Sequence, residues 1–475
     1  TTFTVRFTPA VPGIRVAALH IASSDADENP FDIALTALAP LTGFVRNARL
    51  VTTFTNTTPG YPQYFGSSVA ALGSDRVLIG ATGYQIFGNN QVGGAAYLFS
   101  TAGTLLTTFT NPSSQASAEF GRAIAAVGND RVIIGAPSES IVDRWTGVAY
   151  LFSTNGALLT TFTNPAPVFD DHFGLAVTGV GNDQVLIGAP WFGGNYGAAF
   201  LFSTDGTLLN TFTNGVGETR MGISVAALGS GRVLIGADTG EDDLGAAYVY
   251  DVNGTLLRTF TNPSGGHHEV FGHSVALVGS DRLLISAPWY GAAYLFDTDG
   301  TFLTTFANPT PAGFEEFGTA VAAVGSDRVL IGAMDSTAAP YSGAAYLFST
   351  TGTLLTTITN PTPARDDSFG SSLAALGTDR VIIGAPSDDT GGTNAGAAYL
   401  FSLEPLTPRL SVTHSGGSVV FSWTKAADDF VLDQSESVTL GWSEVPTATF
   451  QTNDSSVFIS LPAPTGNKFF RLHKP

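Results

Sequence analysis

The side chains best suited to chemistry stand in short, irregular stretches rich in acidic and aromatic residues. One of them, "HHEVFGH", gathers His267, His268, Glu269 and His273. These are metal-ligand types, but adjacent histidines on an extended loop point apart and the spacing matches no zinc pattern, so no metal site is expected. Another, "VFDDHFG", sets Asp171 beside His172. This is the nearest approach to a general acid and base, although adjacency alone does not build such a pair. Carboxylates crowd the stretches: Asp170, Asp171, Glu241, Asp242, Asp243, Glu315, Glu316, Asp366, Asp367, Asp388 and Asp389. A cation or a basic partner could use them, while acidic loop tips are commonly just solvated. Three tryptophans, Trp145, Trp191 and Trp289, lie in these stretches with Tyr84, Phe192, Tyr196, Tyr290 and Tyr341. Such rings make either a contact surface for a sugar or protein, or a lid folded over a channel.

Composition narrows the function classes. The 475-residue chain has no cysteine, which removes thiol nucleophiles, thiolate metal sites and disulfides together. Its net charge of −19 argues against gripping nucleic acid, which needs a basic stripe. No apolar run approaches the ~18 residues of a membrane span. No cofactor motif is present.

The elements that must position those residues come from repetition. A Phe-Gly pair recurs at Phe65, Phe120, Phe173, Phe271, Phe317 and Phe369, with Met221-Gly222 standing in once, at spacings of 46 to 55 residues. Each unit reads "FG" and a small apolar run, a turn such as "GSDR", "VLIGAP", a variable loop, "GAAYLFS", a turn such as "TDGT", and "LLTTFTNP". Four strand-length runs separated by turn residues predict a four-stranded antiparallel meander. Seven such units bury one another's faces when arranged radially, so an all-β, seven-bladed β-propeller is expected. "TTFTN" at Thr52 to Asn56 precedes the first unit and none follows the last, so it should supply the outer strand of the final blade. The Asp of turns such as Asp75, Asp130, Asp327 and Asp379 should complete an Asx-type turn and pair with the next Arg.

The "FG…GAP" units, over roughly residues 49 to 402, resemble the FG-GAP repeat family, the propeller of integrin α-subunit heads and of many bacterial surface proteins. That resemblance implies an extracellular or cell-surface protein. Several blades in that family carry a calcium loop, D-x-D-x-D-G, between their first two strands. Here the connection is only "GSDR", "GNDR" or a close variant, too short to wrap an ion that takes six to eight oxygens. Flanking pieces complete the domain reading: residues 1–40 resemble the last strands of a Hydin-type immunoglobulin-like domain, 41–407 are the propeller, and 408–475 are a small β-sandwich. The last resembles the carboxy-terminal modules of large secreted bacterial proteins, with Trp423 and Trp442 expected in its core.

The chemistry-bearing stretches all fall on the second-to-third and blade-to-blade connections, which lie on one side of a meander ring. That side is the expected ligand face, with Trp145, Trp191, Phe192, Tyr196, Trp289, Tyr290, Tyr84, Tyr341, Asp171 and Asp367 as its contact residues. The innermost strands read "SSVAAL" or similar, which leaves little for catalysis and points away from an enzyme. A non-enzymatic adhesion scaffold for a glycan or protein is the first reading. The alternative is a subunit of a filament or sheath, joined head-to-tail by strand addition at the N-terminal segment.

Overall fold

The computed structural model describes residues 13–21, 31–39, 48–56, 63–83, 93–115, 117–140, 145–215, 219–238, 245–265, 270–310, 316–334, 342–403, 410–415, 418–424, 431–435, 441–445, 450–452, 456–462 and 469–473. The chain divides into two units, Asn47–Leu403 and a second made of Thr1–Arg46 with Glu404–Pro475.

In the larger unit the repeats form seven four-stranded antiparallel sheets. The first runs Phe65–Leu72, Arg76–Ala81, Ala95–Ser100 and Leu105–Thr110. The same order recurs in the second (124–163), third (176–212), fourth (221–261), fifth (275–307) and sixth (317–359). The seventh takes Ser372–Leu376, Arg380–Ala385 and Ala397–Ser402, and its outermost strand is Arg49–Thr55, from ahead of the first sheet. The first strand of every sheet packs on that of the next, and Ser372–Leu376 packs on Phe65–Leu72. The result is an all-β, propeller-like architecture.

Burial explains the strand sequences. The "RVLIGA" strands are buried from their second residue onward. Sheets cover both of their faces, so they read as continuous apolar runs instead of alternating ones. The "LLTTFT" strands bury only their phenylalanine, as sheet edges do.

The repeat motif itself is a description of the junctions between sheets. A Cβ on Gly80, in the "GA" of the first sheet, would stand 2.1 Å from the carbonyl oxygen of Gly121, in the "FG" that opens the second. Gly384 and Gly66 meet in the same way across the junction of the seventh and first sheets, at 2.0 Å. Backbone this close admits no side chain, which is why six of the seven units carry both glycines; in the fifth Ser286 stands in the first position, and its Cβ lies 3.2 Å from where a Cβ on Gly318 would sit. Beside the glycine contacts sit trios of rings, broken only where Met221 and Ile358 replace a phenylalanine. At the seventh-to-first junction Phe54 and Phe65 lie 5.3 and 6.1 Å from Phe99. Phe109, Phe120 and Phe152 repeat the trio at the next junction.

Polar latches reinforce the junctions. Ser68 Oγ donates to Gly121 O at 2.7 Å, and Ser372 Oγ to Gly66 O at 2.8 Å. Five turn arginines donate to a carbonyl in the following turn, among them Arg76 to Asn129, Arg131 to Asn182, and Arg380 back to Ser74. The pairing of Asp75, Asp130, Asp327 and Asp379 with the next arginine is present but loose, at 3.5 to 3.9 Å. Exposed pairs of this kind contribute little. Asx turns are made instead by the other hairpin, where Thr301 N donates to Asp299 Oδ1 at 2.9 Å and Asn253 N to Asp251 Oδ1 at 3.0 Å, with Thr255 N adding a second bond to Asp251 at 2.8 Å. Those donors hold both carboxyls below the ordinary range.

In the second unit Gly13–Ile21 and Phe31–Ala39 pair antiparallel. The strand expected before them lies outside the described residues. The carboxy-terminal residues form two small antiparallel sheets around Phe421, Trp423, Leu432, Val445, Val457 and Ile459. Trp423 is buried, whereas Trp442 stays half-buried with the Arg471 guanidinium 4.4 Å over its ring.

Candidate binding face

The loop between Ala136 and Val148 of the second sheet, the link to the third sheet and the turn after Ala189 meet around His172. Backbone bonds fix the meeting: His172 N donates to Trp145 O at 3.0 Å and Phe173 N to Thr146 O at 3.2 Å. Trp145 and His172 then stack, with centroids 6.3 Å apart and planes at 25°. Trp191 lies against the imidazole at 4.8 Å, and Phe169 against Trp145 at 6.0 Å, so the four rings form a connected row of contacts. Trp145 is 39% exposed and Phe169 55%. His172 Nε2 is 2.7 Å from Asp170 Oδ1, so the row carries a charged, half-exposed group beside its rings.

His172 is thus paired with Asp170, and the adjacent Asp171 takes no part in an acid–base pair with it. The cause is its backbone: φ is 51°, in the left-handed region. Tyr64, Glu119, Arg220, Val270, Glu316 and Ser368, which hold the same place before their own Phe or Met, share that conformation. The twist therefore belongs to the fold and not to a strained site.

Asp171 and Asp367 are corrections as well. Expected as contact residues, both are fully buried, two residues before their phenylalanines. Asp171 Oδ2 accepts from Asn164 Nδ2 and Val168 N, both at 2.7 Å. Asp367 Oδ2 accepts from Asn360 Nδ2 at 2.7 Å and Ala364 N at 2.6 Å. Each clasps the link between two sheets. Burial raises the Asp171 carboxyl above its usual range. Glu139, which the sequence did not single out, is a third buried acid, accepting from Tyr150 Oη at 2.7 Å and Asn111 Nδ2 at 3.1 Å.

The other expected residues scatter. Phe192 turns inward, its ring edge-on to Phe200 at 5.4 Å, while Tyr196 is half exposed. Trp289 is 63% exposed on the short 3-10 turn Pro288–Tyr290, and among the described residues no ring contact joins it to the row. Nothing is described of the Tyr290 side chain. Tyr84, Tyr341, His267, His268 and Glu269 lie outside the described residues, and His273 pairs with Asp238 at 3.0 Å. Among the described residues no three metal-ligand side chains come together, and no helix is long and apolar enough to cross a membrane. Phe169 and Asp170 are the row's members that the aromatic pattern missed. Phe169 stands in the same variable link as His172, which is the signal that could have found it.

Residues 354–401 match the FG-GAP repeat family. No curated protein matches the chain. A solved streptogramin B lyase structure is similar to it with a TM-score of 0.53 and 12% identity, covering 75% of this chain and 98% of that one. Virginiamycin B lyase from Staphylococcus aureus is similar with a TM-score of 0.50 and 11% identity, covering 82% and 100%. At such identity the likeness shows the fold alone. It does correct one expectation: enzymes are built on this fold, so the apolar inner strands do not set catalysis aside.

Proposed function

We propose that the chain is an extracellular binding scaffold, a seven-bladed propeller whose variable face holds a glycan. The observation that carries this reading is the row Phe169, Trp145, His172 and Trp191, with Asp170 beside it. Flat rings accept the C–H faces of sugar rings, and a carboxylate within reach accepts their hydroxyls. Indoles supply this area at low conformational cost, since few torsions are frozen. The match to FG-GAP repeats supports an extracellular setting. Neutral oligosaccharides screened against the full chain should bind, and Trp145→Ala should weaken binding at least tenfold, about 1.4 kcal/mol. Its melting temperature should stay unchanged. A full chain that binds no glycan of the screen, or a variant that binds equally well, would remove the proposal.

A further inference from the structure

A second cluster lies where the link between the sixth and seventh sheets meets the loop after Ala385 of the seventh. Asp367 and Asp388 are both buried there, at 0% and 1% exposure. Asn360 Nδ2 lies 2.7 Å from Asp367 Oδ2 and 3.3 Å from Asp388 Oδ2, so one amide serves both carboxyls. Asp388 is well supplied with donors: Tyr399 Oη at 2.6 Å and Thr362 Oγ1 at 3.3 Å on Oδ2, and Thr390 N at 2.7 Å on Oδ1. Asp367 is not. Its Oδ1 is buried with no hydrogen-bond partner among the described residues. At the equivalent link between the first and second sheets, Glu139 has the place of Asp388, and Ala118 that of Asp367.

We propose that Asp367 and Asp388 form a proton-operated clasp, in which one proton taken up on Asp367 Oδ1 in mildly acidic medium tightens the link between the sixth and seventh sheets. Two buried like charges sharing one site cannot both ionise without cost, and a proton on the oxygen that lacks a donor removes the conflict. Burial is the largest influence and pushes Asp367 up to about 6, with Asp388 and Asp389 adding to it and the Ala364 amide and Asn360 opposing. Tyr399 also faces the cluster, its hydroxyl donating to Asp388. Asp366 and Arg365, its chain neighbours, are exposed and paired with each other at 3.5 Å. Because the folded value lies above the ordinary 3.8, the clasp's contribution is complete below that value and is lost as pH rises through about 6.

The test compares thermal unfolding of the full chain and Asp367→Asn between pH 4 and pH 8. The variant's melting temperature should gain several degrees on the wild type as pH rises through the window, and the difference should level off above it. A difference that does not change with pH overturns the proposal. Infrared difference spectra of the wild type give a readout that does not depend on the variant folding. A protonated-carboxyl band should appear as pH falls through about 6, and it should appear at lower pH in Asp388→Asn. Absence of the band in the wild type overturns the proposal. So does calcium at pH 7.5 raising the wild-type melting temperature but not that of Asp367→Asn, which would make the ligand a metal ion.

Discussion

At the scale of single residues, function and fold compete for the same carboxylates. Asp171 sits two residues before Phe173, where its Oδ2 closes the link by accepting from Asn164 and Val168. Asp171→Ala leaves those two donors unpaired in a buried place, at a cost of about 1–3 kcal/mol. Chemical denaturation should show that loss, while Asp170→Ala, on the exposed side of the same pair of residues, should leave stability nearly unchanged. Residue types alone could not have separated the two aspartates. The left-handed φ of His172 decides which of them the imidazole meets, and that torsion is imposed by the junction and not by histidine. The tryptophans were easier to place, because large rings in variable loops stand out from the repeat around them.

At the scale of elements, the repeat motif was legible because each of its letters answers a contact. The phenylalanine of "FG" belongs to a ring trio, and its glycine to a backbone contact with the neighbouring sheet. Phe120→Ala should therefore cost about 3–5 kcal/mol, as truncation of a fully buried ring does. Leu159→Ser, in an edge strand, should change stability by no more than about 0.5 kcal/mol. Equilibrium unfolding of the two variants checks both figures. Apolar type alone does not place the leucine pairs of the edge strands. Leu105 and Leu106 are 37% and 48% exposed. The register of their strand shifts opposite Leu98 and Phe99, and this bulge turns the start of the edge strand outward. A one-residue irregularity of that kind leaves no mark in composition.

At the scale of the whole molecule, the repeats foretold an all-β, propeller-like body, whereas the proposed binding face is built from a few residues that depart from them. The outermost strand of the seventh sheet comes from Arg49–Thr55, and its register against Ala397–Ser402 joins distant parts of the chain. Deleting residues 49–55 exposes the edge of Ala397–Ser402 and removes Phe54 from its ring contact with Phe99. Scanning calorimetry should then show the main transition at clearly lower temperature, since the junctions on both sides of that sheet lose support. We propose the row through Trp145, His172 and Trp191 as a glycan platform. Its most direct test is isothermal titration of neutral oligosaccharides of increasing length into the full chain and into the double variant Trp145→Ala, Trp191→Ala. Affinity should rise with length and then level off as the row is filled, and it should be lost in the double variant while its melting temperature stays within a few degrees of the wild type. Affinity that survives the loss of both indoles in a folded protein would contradict it.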